Sequence, residues 1–282
     1  MDAYIHSGKD FGKVRGMEMN KHKDIVINKY SDYDEDARLD STRAHNLEYL
    51  TTMRYIQKYL KPGAKILEVG AATGRYSITL AKMGYDVTAV DLTPKYVEIM
   101  KRKSRRLKNF RCMVGDALDL SVFDDGTFDM VLNLGPMYHL FNNRDKKRAI
   151  NESIRVAKRG GICMFAYLPH SSVMIGYAIK YGHVADLWKT SNHKTGALMD
   201  APDEIFNTIH IEDLRKMFDK TPTKYITNVA TDGIAPRLRE EIEAMPKKEY
   251  QAFVEWHFAT CERLDQQGFS SHLLYICKKT GK

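Results

Sequence analysis

No stretch of this chain approaches the roughly 20 consecutive apolar residues that a membrane-spanning helix needs, although hydrophobic residues make up 43% of its 282 positions. A helical membrane protein is therefore excluded, and enough apolar side chain remains for a substantial core. The opening segment, Met1 to Asp10, has neither the apolar run of a secretory signal nor the arginine-rich amphipathic pattern of a transit peptide, so the expected setting is soluble and cytoplasmic. Cysteine is scarce. Cys112, Cys163, Cys261 and Cys277 lack the paired spacing of a zinc site or a disulfide framework, and we expect reduced core thiols. The histidines match no zinc template either, so no metal is expected. Internal repeats and low-complexity tracts are also missing. Acidic residues are fewer than basic ones, 36 against 44, which leaves a formal charge of +8. That excess is compatible with an anionic partner without requiring one. The densest basic run, Lys101 to Lys108, has no interleaved aromatic residues of the kind that stack on single-stranded bases. It falls on a helix whose apolar stripe is Tyr96, Val97, Met100 and Leu107, so most of its cations should face solvent.

What the chain does have is alternation. Residues 1–30 read as a loose, flexible arm, with Met19 as an alternative start. A helical cap over 31–60 follows, in which Leu47, Leu50, Met53, Ile56 and Leu60 recur at helical spacing. Thereafter the pattern predicts a strand at 65–69, helix 75–83, strand 86–90, helix 95–107, strands 110–114 and 128–133, helix 145–158 and strand 161–167. Strands alternating with helices imply a parallel sheet covered on both faces. A helix near 211–218 and strands at about 223–230 and 271–278 complete the order. Residues 31–282 thus form one domain with a core over 61–168 and 207–282, and two lid inserts at about 169–206 and 233–268. In the second insert, Tyr250, Phe253, Val254, His257, Cys261 and Leu264 form a stripe that should pack on the core.

Residues 65–74, Lys-Ile-Leu-Glu-Val-Gly-Ala-Ala-Thr-Gly, read as a buried strand breaking into a glycine turn that opens a helix. Gly70 lets the backbone turn sharply and approach a ligand without an intervening Cβ. A dinucleotide fingerprint places glycines at the first, third and sixth positions. Here those positions hold Gly70, Ala72 and Arg75, and the large cation argues against a pyrophosphate seat. Gly70 and Gly74 instead stand at the first and fifth positions, with Glu68 leading.

That spacing resembles motif I of the class I S-adenosylmethionine-dependent methyltransferases, with Ala72 in place of the middle glycine. Four further landmarks follow in the family's order: Asp91 ending the second strand, Gly115-Asp116-Ala117 after the third, Phe128 to Asn133 as the fourth, and Arg159-Gly160-Gly161 before the fifth. The resemblance covers roughly residues 60–168. It implies a Rossmann-like, doubly wound, seven-stranded, mostly parallel sheet whose last strand is antiparallel, with helical lid insertions. It also implies S-adenosylmethionine as cofactor.

Under that resemblance each part of the cofactor has a candidate partner. Gly70, Ala71 and Gly74 form the turn, and Asp91, about 20 residues on, is placed to accept both ribose hydroxyls. Asp116 resembles the family residue that accepts from the adenine amino group, with Ala117 offering backbone contact and Leu92 packing on the ring. Asn133 and Leu134 are expected near the methionine portion. Glu68 is expected to orient the turn or the amino group. Tyr33 and Arg38 lie where related enzymes fold a helix over the cofactor, and an arginine there could pair with its carboxylate. The methyl acceptor is expected beyond the fourth strand, where Tyr138 and His139 are the candidate catalytic residues; histidine titrates near neutrality and can accept a proton. His170, Tyr177, His183, Trp188, His193 and Trp256, in the inserts, are expected to border the acceptor pocket. The function implied is methyl transfer to an oxygen, nitrogen, carbon or sulfur atom of a small molecule, by a monomer or homodimer. A nucleic-acid methyltransferase is the alternative, although Asn133 to Tyr138 lacks the double proline that holds a flipped adenine. A non-catalytic cofactor-binding module is the more distant one.

Overall fold

A computed structural model of the chain describes residues 18–32, 38, 41–198 and 206–281. Tyr33 lies outside the described residues. Strand β1 (Lys65–Val69) is followed by helix-connected strands β2 (Asp86–Asp91), β3 (Phe110–Val114), β4 (Phe128–Asn133) and β5 (Ala157–Tyr167), then β6 (Thr223–Ala230) and β7 (Leu273–Lys279). They form one seven-stranded sheet in the order β3-β2-β1-β4-β5-β7-β6. The pairs among β1 to β5 are parallel, and β7 runs antiparallel to both β5 and β6.

Alternation along each strand explains how one sheet buries two faces. Ile66, Val87, Ala89, Met130, Leu132 and Met164 point to one side and pack on helices α3 (Arg75–Lys82) and α4 (Pro94–Ser104). Leu67, Val69, Val90, Val131, Cys163 and Phe165 point to the other and meet helix α5 (Asn143–Val156) through Ala149, Ile150 and Ile154. The four cysteines are free thiols, three of them buried. Lys101, Arg102, Arg105 and Arg106 are exposed on and just after α4. No helix among the described residues is long and apolar enough to cross a membrane.

The flanks differ from their sequence reading in two ways. Residues 18–32, expected within or beside a loose arm, form a helix, Glu18–Asp32. Its Val26 is buried, and Val26 and Tyr30 line the same cavity as the glycine turn. A second helix before the sheet, Arg43–Tyr59, begins at Thr42, whose hydroxyl accepts the His45 N–H at 3.1 Å. We call these the N-terminal helix and the cap helix. The stripe of the second insert packs inward except at its end, where Leu264 is 80% exposed. Tyr250, Phe253 and Val254, on helix Lys247–Thr260, cover Ala44 and Leu47 of the cap helix. The Arg43 guanidinium stacks 4.8 Å from the Tyr250 ring.

Candidate active site

Four strand ends meet at one cavity. At the end of β1, Gly70 has φ +75°, and a Cβ there would lie 2.5 Å from Pro136 Cδ, so the turn after β1 and the segment after β4 approach as only glycine permits. Two residues on, Ala72 also adopts a left-handed conformation, φ +46°. This is the position where the family pattern has its middle glycine, and such a conformation costs an alanine about 1–2 kcal/mol. A local bond offsets that strain. Asp91 Oδ2 accepts the Ala72 N–H at 2.7 Å, while Oδ1 accepts the Thr93 N–H at 2.8 Å. The carboxylate at the end of β2 therefore sets the turn after β1 as well as facing the cavity.

Glu68 lies on the α3 side of the sheet, one residue out of phase with Leu67 and Val69. Its Oε2 accepts the Ser77 N–H at 2.9 Å. Burial pushes its pKa up to about 8; the Ser77 hydrogen bonds oppose that rise and the Asp91 carboxylate adds to it. At the end of β3, Asp116 Oδ1 accepts the Leu118 N–H at 2.9 Å, and Oδ2 is ion-paired with Lys23 of the N-terminal helix.

The expected residues are brought together unevenly. Glu68, Gly70, Ala71, Asp91, Leu92, Asp116, Ala117, Leu134, Tyr138, His139 and Arg38 all line the cavity. Gly74 and Asn133 are not on its wall. Gly74 starts α3, where a Cβ would meet Ile78 Cδ1 at 2.8 Å and Met100 Cγ at 3.0 Å, so its smallness serves helix packing. Asn133 is fully buried and its amide donates to Ser153 Oγ of α5 at 3.2 Å. Arg38, read as a partner for a ligand carboxylate, makes two bonds to Glu48 of the cap helix, at 3.0 and 3.2 Å. Tyr138 donates its hydroxyl to the Leu134 carbonyl at 3.0 Å, and His139 Nε2 meets the Tyr30 hydroxyl at 3.1 Å.

The six insert aromatics and histidines do not reach the cavity. Tyr177 stacks with His183, Trp188 stacks with His193, and His170 bonds Thr208 at 2.6 Å. Trp256 is 46% exposed. The two stacked pairs form within six residues along the chain, so proximity in sequence accounts for them, whereas the His170–Thr208 bond ties the start of the first insert to its end.

Sequence reading missed the opposite wall. His272, immediately before β7, faces the cavity with its Nδ1 2.9 Å from Asp232 Oδ2. Asp232 Oδ1 takes hydrogen bonds from Ser270 Oγ at 2.5 Å, Ser271 N–H at 2.8 Å and His272 N–H at 3.2 Å. Glu48 Oε2 lies 3.6 Å from the same His272 nitrogen. Burial alone would lower the pKa of His272, but the Glu48 and Asp232 carboxylates outweigh it and hold the ring above its ordinary value. Burial likewise opposes ionisation of Glu48, yet Arg38 and His272 draw its pKa down to about 2. Ligand atoms of Glu48, Asp232 and His272 lie within 4.8 Å of one another. The guanidinium of Arg38 pairs with Glu48 from the far side, which makes the group part of an ion-pair network. No sequence motif marks it, because its members stand at 38, 48, 232 and 272.

The methyltransferase-domain family model matches residues 66–161, the segment from β1 to the start of β5 that builds the glycine turn and both cavity acids. Over that segment the chain is similar to the class I S-adenosylmethionine-dependent methyltransferases, and the matches support a methyltransferase domain of that kind. It is 29% identical over 150 residues to the demethylmenaquinone methyltransferase of Staphylococcus carnosus, a match spanning 52% of this chain and 60% of that enzyme. Less than two thirds of that relative is thus covered. Among solved structures, a SAM-dependent methyltransferase from Methanosarcina mazei superposes with a TM-score of 0.55 at 18% identity, covering 81% of this chain and 98% of that one. The [4+2]-cyclase SpnF superposes at 0.54 and 17% identity, covering 83% and 82%. Likeness at that identity speaks to the fold alone. That a cyclase shares this methyltransferase fold shows why the acceptor chemistry must be argued from side chains.

The residues present fit the family's cofactor. Asp91 and Asp116 offer carboxylates at the ends of adjacent strands, as a nucleoside with hydroxyl and amino donors requires. Glu68 is a carboxyl that burial, with Asp91 beside it, holds near pKa 8, and an ammonium group would stabilise its charged form.

Proposed function

We propose that this methyltransferase transfers a methyl group from S-adenosylmethionine to a small-molecule acceptor held between the glycine turn and the His272 wall. One observation carries the reading: a single cavity joins the Gly70 turn, Asp91 and Asp116 at one end to Tyr138, His139 and His272 at the other. Asp91 would hold the ribose, Asp116 the adenine amino group, and Glu68 the amino end. The cofactor, when bound, supplies a methyl group already activated on a positively charged sulfur. The chain's own work is then chiefly to align the acceptor and exclude water. The N-terminal and cap helices support the second task, since Val26, Tyr30 and Glu48 close over the cavity. The family name of the Staphylococcus relatives is consistent with a small organic acceptor.

Calorimetry with S-adenosylhomocysteine, and with NAD as control, tests the cofactor assignment. We expect saturable heat from the former and none from the latter; the reverse would end the proposal. Methyl-labelled cofactor incubated with fractionated extract then tests the acceptor. Label should enter the small-molecule fraction, and label confined to RNA or protein would overturn that part.

A further inference from the structure

Resting on the methyl-transfer reading above, we propose that His272 is the proton acceptor for the reaction, that Asp232 positions it, and that the methyl-accepting atom is the oxygen of an aromatic hydroxyl. The geometry assigns the tautomer. Asp232 Oδ1 accepts from three donors, Ser270 Oγ, Ser271 N–H and His272 N–H. Its Oδ2 can only accept, so His272 Nδ1, at 2.9 Å, must carry the hydrogen. The lone pair is then on Nε2. Among the described residues Nε2 has no hydrogen-bond partner, and the ring borders the cavity. His139, the base expected from sequence, has its Nε2 engaged by Tyr30 instead.

The charged groups facing His272 make it a stronger base than a free imidazole. Asp232 comes from the segment after β6, and Glu48 from the cap helix, with Arg38 pairing Glu48 from the far side. Together the two carboxylates raise the ring's pKa. Tyr138, from the turn after β4, has its ring 6.4 Å away and its hydroxyl committed to Leu134.

A base at this point has a use only if the acceptor atom loses a proton on methylation, which a thioether or tertiary amine does not. The rings of Tyr30, Tyr138 and His139, with Leu140 and Leu273, provide flat apolar walls suited to an aromatic body. Aromatic hydroxyls titrate near 10, within reach of a strengthened imidazole. The hydroxyl oxygen forms its bond to the methyl carbon as the carbon–sulfur bond breaks, and that bonding pair stays on sulfur. The hydroxyl proton passes to Nε2 and is later lost to solvent.

The test uses the full chain, His272→Gln and Asp232→Asn, with a series of phenols and naphthols of graded acidity as probes. S-adenosylhomocysteine calorimetry comes first: loss of binding in the unmodified protein refutes the cofactor reading, whereas binding retained within about threefold in the variants shows that their sites are folded. With ¹³C-labelled histidine, the resonance absent from His272→Gln should titrate above pH 6.5 in the unmodified protein, and lower in Asp232→Asn. Methylation of the probes should rise with pH to a plateau at that midpoint. His272→Gln should lower the rate about 100-fold or more, and the defect should shrink as the phenol becomes more acidic and ionises unaided. A midpoint below 6.5, a variant rate within threefold for the least acidic phenol, a defect independent of phenol acidity, a rate that needs added zinc, or cofactor binding without methylation of any probe would each overturn the inference.

Discussion

Two buried glutamates in one cavity titrate in opposite directions. Glu68, at the glycine-turn end, is 1% exposed and has its pKa pushed up to about 8. Glu48, at the cap end, is 8% exposed and is drawn down to about 2. Burial penalises the charged form of both. What separates them is company: Arg38 and His272 stand beside Glu48, while Asp91 is the charged neighbour acting on Glu68. The cap end therefore supplies its own counter-ions, and the turn end leaves an acid to be matched by a ligand. The first region is a self-satisfied structural and proton network; the second is a receptor.

The strongest way to break that contrast is to remove the self-satisfied acid. Glu48→Ala removes the carboxylate that Arg38 and His272 face in a largely buried network, and the loss of one member of such a pair costs about 3–5 kcal/mol. Chemical denaturation at pH 7 should show it. The unmodified protein should also lose this contribution on acidification. A carboxyl with a folded pKa near 2 and an unfolded one near 4.5 stabilises above the higher value, and that stability disappears as pH falls through 4.5 towards 2. The acid limb of the stability curve should flatten in Glu48→Ala. A variant as stable as the parent at pH 7 would mean the network is ornamental.

Glu68 should behave in the opposite sense. Its folded pKa lies above its unfolded one, so the folded chain holds the extra proton between about 4.5 and 8 and stability falls as pH rises through that window. Glu68→Gln removes the titration while keeping an oxygen for the Ser77 N–H. It should be the more stable protein by on the order of 2–4 kcal/mol at pH 8, with the gap closing towards pH 5. Thermal melts at both pH values check this. Equal pH dependence in variant and parent would show that Glu68 is already ionised and partnered.

Asp91 joins the two functions that the turn end combines, and Asp91→Ala should sharpen the comparison further. It deletes the acceptor for Ala72 N–H, which holds an alanine in a left-handed conformation, and also the proposed ribose partner. A charged hydrogen-bond acceptor of this kind contributes about 2–3 kcal/mol. We expect S-adenosylhomocysteine affinity to fall about 100-fold by calorimetry, with the Glu48–His272 network intact as reported by the His272 NMR midpoint.

The same contrast explains what could be read in advance. The turn end comes from residues 65–134, where strand, turn and helix succeed one another, and alternation plus the spacing of Glu68, Gly70, Asp91 and Asp116 placed them around one cavity. Strand limits at 110–114, 128–133 and 223–230 coincide with those observed. Spacing could not separate wall from packing, however, which is why Gly74 and Asn133 were read as ligand contacts when one leaves room for Ile78 and Met100 and the other bonds Ser153. The cap end was illegible for a different reason. Glu48 meets His272 only because the cap helix packs beside the start of β7, and Asp232 reaches it only because β6 and β7 pair antiparallel, with Ala230 opposite Leu273. These contacts depend on register and packing between residues 40 and 224 positions apart, and no local period carries them. The N-terminal helix was missed because its apolar positions are few, and those that matter, Val26 and Tyr30, face the cavity and not a sheet.

The smallest expected effect concerns that helix. Lys23 pairs with Asp116 Oδ2, the oxygen that the adenine amino group would claim, with the lysine and aspartate side chains 34% and 23% exposed. An ion pair so open to water contributes at most about 1 kcal/mol. If the helix merely shelters the cavity, Lys23→Ala frees one acceptor oxygen while Val26 and Tyr30 still cover the site. S-adenosylhomocysteine affinity should then rise, by no more than about fivefold, and the gain should disappear at high salt, where the pair in the parent protein is already screened. A fall in affinity would reverse the assignment. Lys23 would then belong to the receptor, and the N-terminal helix would bind the ligand as well as cover it.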